Sequence, residues 1–273
     1  MPALLLLCLS KAGSLDFWYY LLLFSGGLLA GVINTLAGNG SAITLSLLIF
    51  TGLPATAANA TNRIGALVQT LTAVLSLRRS PRTLILFRES WWFVPPALIG
   101  SVAGAFLAID IDPGLLRKII GAFMVFLLFT MLYRPAKWQR ATVVGHRRRT
   151  ALNWLLVLLI ATYGGFIQMG IGIMLLSLLV LLAHFSLRDA NIIKLLLALI
   201  FVVPAFFVFA LGGEIEWLPG IVLAIGQGFG AWLGARYILY LPKANLIIRW
   251  LLILILSLSS LSLLGIFDLI FHG

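Results

Sequence analysis

Charge and cysteine are both scarce in this chain. Only 10% of its 273 residues are charged, against about 25% in soluble domains. Cys8 stands alone, which excludes an internal disulfide and a thiolate metal site. No Ser/His/Asp set, HExxH, Walker A loop or CxxC is present, so no catalytic, metal or cofactor motif supports an enzyme. Residues 1–10 are apolar but lack a basic leading segment. They read as a retained N-terminal extension rather than a cleaved signal peptide. What fills the space left by charge is apolar: 62% of residues are hydrophobic and the mean hydropathy is +1.12. One soluble core of this size cannot bury that excess. An ordinary soluble enzyme, a disordered chain and a secreted disulfide scaffold are excluded together, and a polytopic helical membrane protein remains.

Ten hydrophobic stretches are predicted: 15–37, 42–51, 57–77, 91–109, 115–133, 151–169, 173–184, 190–211, 219–240 and 244–271. The second and seventh are short. At 1.5 Å per helical residue they reach only about halfway across a hydrocarbon core. The order repeats. Gly38-Asn39-Gly40 and Gly170-Ile171-Gly172 each interrupt an apolar run, and a short stretch containing Leu-Ser-Leu-Leu follows each. A polar loop with Ala-Asn comes next, at Ala58-Asn59 and Ala190-Asn191, and three longer stretches close each half. The offset is about 132 residues, an internal repeat. The expected organisation is an extension (1–14), a first repeat (15–133), a basic linker (134–150) and a second repeat (151–273).

The net charge of +11 reads as loops holding the cytoplasmic side of a bilayer, not as a nucleic-acid surface. Basic residues at 78–88, 134–149, 188–194 and 236–249 make 15 of the 19 if all four groups are cytoplasmic. The opposite side then holds Lys11, Arg63, Arg117 and Lys118, with Asp110, Asp112, Glu214, Glu216 and Asp268. That asymmetry puts both termini outside. Five stretches per half is an odd number, so the second repeat runs inverted through the membrane, as in alternating-access transporters. The short stretches are expected to be broken or re-entrant helices that meet near the midplane. Arg147, Arg148 and Arg149 suit an anchor to anionic lipid.

Irregular backbone inside a bilayer is tolerated only where protein or water covers it. The two Gly-x-Gly breaks therefore point to a cavity, although such pairs also simply let helices pack closely. Around the first break lie Asn34, Thr35, Gly38, Asn39, Gly40, Ser41 and Thr44; around the second lie Gln168, Gly170 and Gly172. A helix that restarts after such a break offers free N–H groups to an anion. A second constellation is Asn59, Thr61, Asn62 and Arg63, with Asn191 and Lys194 as its counterpart. Arg63 is the leading candidate for a substrate-charge partner, because a guanidinium grips oxyanions with a planar fork. Lys194 sits in the mirrored place. The alternative for both is a basic side chain snorkelling to the headgroups. Gln69 and Thr70 could line the same path, Gln227 is a buried amide, and Pro95-Pro96 and Pro204 mark kinks. Asp189 and Glu89 are assigned to cytoplasmic loops, which leaves no intramembrane carboxylate for a proton relay of the usual kind. His184 lies near Asp189, but a lone loop histidine is usually incidental.

The run 31–41, Gly-Val-Ile-Asn-Thr-Leu-Ala-Gly-Asn-Gly-Ser, followed by Gly52-Leu53-Pro54 and Ala57-Ala58-Asn59-Ala60-Thr61-Asn62, resembles the first repeat of the sulfite exporter TauE/SafE family. Residues 164–194 resemble its second repeat more loosely. Asn39 stands where the family usually has the middle of three glycines, and Ile171 and Ile173 stand where small residues are expected. The resemblance implies an inner-membrane secondary transporter of sulfur-containing or organic anions such as sulfite, sulfonates and sulfoacetate. The anion path would run near the two breaks and the Asn-rich segments.

The expected function is alternating-access transport of a small anion, with no cofactor. Arg63 and Lys194 would attract the charge, and Asn34, Asn59, Asn62 and the break amides would hydrogen-bond the oxygens. Arg63→Ala is expected to abolish transport and leave folding intact. The competing readings are a non-transporting membrane subunit and a membrane-embedded enzyme. A homodimer would match the habit of many such transporters, with no interface motif to locate it. The coupling ion, a proton included, stays open.

Overall fold

The structure, a computed structural model, describes residues 2–77, 81–133, 150–236, 250, 253–254, 256–257 and 260. The basic linker up to residue 149, the end of the ninth predicted stretch and most of the tenth lie outside the described residues. Those described form α-helices and no strand. In chain order they are α1 (Pro2–Ala37), α2 (Gly40–Phe50), α3 (Ala55–Leu77), α4 (Pro81–Ser90), α5 (Val94–Ile109), α6 (Pro113–Tyr133), α7 (Ala151–Phe166), α8 (Ile171–Ser177), α9 (Leu187–Leu211) and α10 (Trp217–Arg236). A 3-10 turn, Trp91–Phe93, joins α4 to α5, and a π-turn, Leu178–Leu182, extends α8. Four helical spans among the described residues are long and apolar enough to cross a membrane: Phe17–Thr35, Pro81–Ile109, Leu187–Leu211 and Trp217–Arg236.

Local chemistry sets several starts. The side chain of Thr150 accepts from the Asn153 amide at 3.2 Å and opens α7; Ser186 accepts from the Asp189 amide at 3.1 Å and opens α9. Asp112 accepts from the Leu115 amide at 2.7 Å, with Pro113 in the first turn of α6. Each satisfies an amide that the helix leaves orphaned. Pro95 and Pro96 fall in the first turn of α5, where the missing N–H costs no helix bond.

Two sequence expectations change. Arg82, Arg88 and Glu89 belong to α4 rather than to a loop. The two Asn-rich segments are not loops either: Asn59, Asn62 and Arg63 lie in α3, and Asp189, Asn191 and Lys194 in α9. Helical spacing explains this. Asn59, Asn62 and Arg63 stand at i, i+3 and i+4, so they share one face, and that face is turned inward with all three buried.

The packing is symmetric on exchange of the halves. Helix α1 packs on α10, and its counterpart α7 packs on α5; α3 also contacts α10, as α9 contacts α5, and α3 meets α9 between them. Helices α3 and α9 run antiparallel. The start of α3 is tied to the chain just after α9, since the Glu216 amide donates to Thr61 Oγ1 at 3.0 Å. The start of α9 is tied to the chain just after α3, since Arg82 pairs with Asp189 at 2.7 Å. That ion pair also brings two of the predicted cytoplasmic basic groups to one side of the molecule. The periphery is apolar, with Trp18, Leu22, Trp91, Ile99, Phe106, Leu107, Phe207 and Leu211 exposed, while Arg63 and Lys194 are among the largest fully buried side chains. Apolar outside and charge inside is the pattern of a protein dissolved in lipid.

Candidate functional site

The two breaks touch each other. Helix α1 ends at Ala37, and Gly38 takes the left-handed conformation (φ +77°) that terminates helices and favours glycine. Asn39 precedes α2 without a side-chain cap bond. Instead Asn34 Oδ1 accepts from the Gly40 amide at 3.2 Å. On the other side α7 ends at Phe166, and the chain passes through Gln168 (φ +69°) and Gly170 (φ +72°) before α8. Gly38 and Gly172 abut. A Cβ added to Gly38 would lie 2.7 Å from the Gly172 Cα, so neither position accepts a side chain.

Arg63 holds the second break together. Its Nη1 donates to Gly164 O at 2.7 Å and Gln168 Oε1 at 3.0 Å. Its Nη2 donates to Gly165 O at 2.8 Å, Phe166 O at 3.2 Å and Asn59 Oδ1 at 3.3 Å. Three of those acceptors are the last carbonyls of α7, which have no helical partner and carry the negative end of the helix dipole. Asn59 assists, donating to Phe166 O at 2.7 Å. The guanidinium also stacks over Phe209, with Cζ 4.9 Å from the ring centroid. Both terminal nitrogens of the fork are therefore committed to the protein. Only Nε lacks a partner.

Lys194 is the opposite case. It is 2% exposed, and its Nζ has no hydrogen-bond partner among the described residues. Snorkelling is ruled out for both Arg63 and Lys194 by their burial. Lys194 lines a narrow cavity of about 20 Å³ where the breaks meet, with Asn34, Gly38, Ser41, Thr70, Gln168 and Gly172 as neighbours and Ile171, Leu175, Leu195 and Ala198 as apolar wall. That volume holds about one water, so a larger occupant needs the walls to part. Both cavity amides have their oxygens tied back into the protein: Asn34 Oδ1 by the Gly40 amide, Gln168 Oε1 by Arg63. Those two partners are obligate donors, which settles which end of each amide is oxygen. The polar groups left to face an occupant are the amide N–H groups of Asn34 and Gln168, the Lys194 ammonium and the hydroxyls of Ser41 and Thr70, the last already donating to Ala66 O at 2.7 Å.

Six of the candidates at the breaks and in the Asn-rich segments line the cavity: Asn34, Gly38, Ser41, Gln168, Gly172 and Lys194. The others lie outside its lining. Thr35 Oγ1 donates back to Gly31 O at 2.9 Å. Asn62 Oδ1 accepts from Thr44 at 2.6 Å and joins α3 to α2. Asn39 is fully buried with both side-chain polar atoms unpaired, and Asn191 Oδ1 is unpaired as well. Gly40 packs against α1, where a Cβ would strike Ala30 O, and Gly170 packs against Leu127. Of the two further path candidates, Thr70 lines the cavity, while Gln69 is buried with an unpaired amide nitrogen. The apolar wall carries no signal that distinguishes it from any other membrane-buried residue.

The family profile described as sulfite exporter TauE/SafE matches residues 23–263. The chain belongs to that family. It is 28% identical over 233 residues to a probable membrane transporter protein of Haemophilus influenzae, covering 84% of this chain and 88% of the relative. It is 32% identical over 245 residues to the probable membrane transporter protein ORF9 of Sinorhizobium sp, covering 88% and 91%. The probable membrane transporter protein YfcA of Escherichia coli K12 is 27% identical over 244 residues, covering 89% and 88%. No solved structure matches the chain. As a TauE/SafE family member with apolar helical spans, the protein is a multi-pass membrane transporter. The matched span contains both breaks, Arg63 and Lys194.

Proposed function

We propose that this transporter moves a small sulfur-containing or organic anion, of the sulfite or sulfonate class, across the inner membrane by alternating access between two inverted repeats. The observation that carries the reading is a buried ammonium with no partner among the described residues, in a cavity lined by no carboxylate. An ammonium without a partner and two amides with their oxygens already used recognise a species rich in acceptors. Lys194 attracts the charge, and Asn34 and Gln168 hydrogen-bond the oxygens. Arg63 keeps the second break in shape. Antiparallel α3 and α9, with the two breaks in contact at Gly38 and Gly172, support exchange of the halves' roles in exposing the cavity to either side. The small cavity fits a closed arrangement that opens as the breaks separate.

The test is flux in proteoliposomes carrying the purified protein. Sulfite, methanesulfonate, sulfoacetate and taurine are offered under an imposed pH gradient or potential. Saturable flux of at least one is expected, and Lys194→Gln should cut it by tenfold or more while the protein stays monodisperse in detergent. Undiminished flux in Lys194→Gln would remove that residue from the substrate path. No flux of any of the four would overturn the substrate class.

A further inference from the structure

The two halves of the chain line the cavity with unlike chemistry, and the difference bears on the uncharged part of the substrate; this step rests on the proposed anion transport. The first repeat contributes only glycine and polar groups: Gly38, Asn34, Ser41 and Thr70. Every apolar lining residue comes from the second repeat, Ile171 and Leu175 of α8 with Leu195 and Ala198 of α9. At the repeat offset of about 132, Asn34 and Thr70 fall on Phe166 and Val202. The halves keep one backbone plan and differ in what they offer a ligand. Ile171 and Leu175 stand at i and i+4, on one face of α8. Both belong to an apolar cluster with Val157, Ala161 and Phe201, so the side chains packed with that wall are apolar as well.

We infer that Ile171 and Leu175 form a wall for the substrate's tail, and that this protein carries anions with a short apolar tail in preference to those whose tail is polar. Lys194, Asn34 and Gln168 take the head by donating to its oxygens. The tail then lies against α8. A methyl group placed there gains by leaving water. A hydroxyl placed there gives up its water and meets no donor or acceptor in return. That unanswered desolvation is the source of the discrimination. It is independent of the charge on the head. Helix α8 begins directly after Gly170 of the second break, so the movement that parts the breaks to admit the head also frees the apolar face.

Propane-1-sulfonate and 2-hydroxyethanesulfonate isolate the tail. They share the sulfonate head, the charge and the number of heavy atoms, and differ by a terminal methyl against a hydroxyl. Saturable flux of each into proteoliposomes, and competition of each against methanesulfonate, are measured with the wild-type protein, so no variant needs to fold. Propane-1-sulfonate is expected to be at least tenfold the better substrate and competitor. Leu175→Thr, which places a hydroxyl in the wall, is expected to narrow that ratio; an unchanged ratio would remove α8 from the tail site. Equal handling of the two anions, or a preference for the hydroxyl, would overturn the tail assignment and leave the transporter reading standing. Methanesulfonate carried with neither longer anion would do the same. Flux of none of the three, together with none of sulfite or taurine, would overturn both.

Discussion

Arg63 and Lys194 stand in corresponding turns of α3 and α9, and the interior treats them in opposite ways. Arg63 meets the orphaned carbonyls of α7 and is spent on them. Lys194 meets no acceptor among the described residues. Their substitutions should therefore move stability in opposite directions. Arg63→Lys replaces a fork by a point donor and gives up charge-assisted bonds worth roughly 1.5–3 kcal/mol each, so its thermal midpoint in detergent should fall by several degrees. Lys194→Met removes an unpaired buried cation, whose desolvation no partner offsets, in favour of an apolar side chain of similar length. Its midpoint should hold or rise while flux is lost. A wild-type midpoint in Arg63→Lys would disprove the clamp. The sequence expectation that Arg63→Ala leaves folding intact changes for the same reason, since that variant would strip α7 of its terminal partners. The chemistry of a guanidinium was legible at position 63. Whether its hydrogens were free was not, because the acceptors come from residues about a hundred positions away.

At the scale of elements, bare backbone seams bring the helix pairs together. In α1 and α10, Gly27 and Gly31 lie against Leu223 O and Gln227 O, while Gly226 and Gly230 lie against Phe24 O and Leu28 O. In α5 and α7, Gly100 and Gly104 lie against Leu158 O and Thr162 O, and Gly165 against Ser101 O. Ser101 also donates its hydroxyl to Phe201 O of α9. Lipid gives helices no hydrophobic reason to associate, so close backbone contact has to supply the attraction. The same seam in α1–α10 and α5–α7 is the clearest trace of the repeat. Gly104→Ala, whose Cβ would collide with Thr162 O, should cost about 1–3 kcal/mol as an overpacked contact. Gly114→Ala, whose Cβ would meet only the Asp112 side chain at 3.2 Å, should change stability by no more than about 0.5 kcal/mol. Equal thermal midpoints for the two variants would argue against the seam. These glycines recur at four-residue spacing in the sequence, a signal the Gly-x-Gly breaks overshadowed. Spacing alone does not say which helix lies opposite.

For the whole molecule, antiparallel α3 and α9 match the inversion inferred from an odd number of stretches per half, and the Arg82–Asp189 pair joins two of the four basic groups on one side. If that side is cytoplasmic, Arg188→Cys in a Cys8→Ser background should react with a membrane-impermeant thiol reagent only after the cells are permeabilised. Asp110→Cys, at the far end of α5, should react in intact cells. Both positions are exposed. The reverse labelling would invert the topology.

Composition and periodicity by themselves determined the medium, the helical class, the short elements and the places where the chain breaks. These follow from apolar content, from glycine's backbone freedom and from runs of fixed length, all of which are local properties. The motif at 31–62 was enough to reach the TauE/SafE family. Tertiary structure alone decided that Asn59, Asn62 and Lys194 lie within buried helix turns rather than loops, and that Gly38 meets Gly172. It alone decided which of two mirrored cations is satisfied. Those outcomes depend on which carbonyls and amides arrive from the other half of the chain. A buried polar group is judged by its partners, and the partners here are brought together by the packing of α3, α7 and α9.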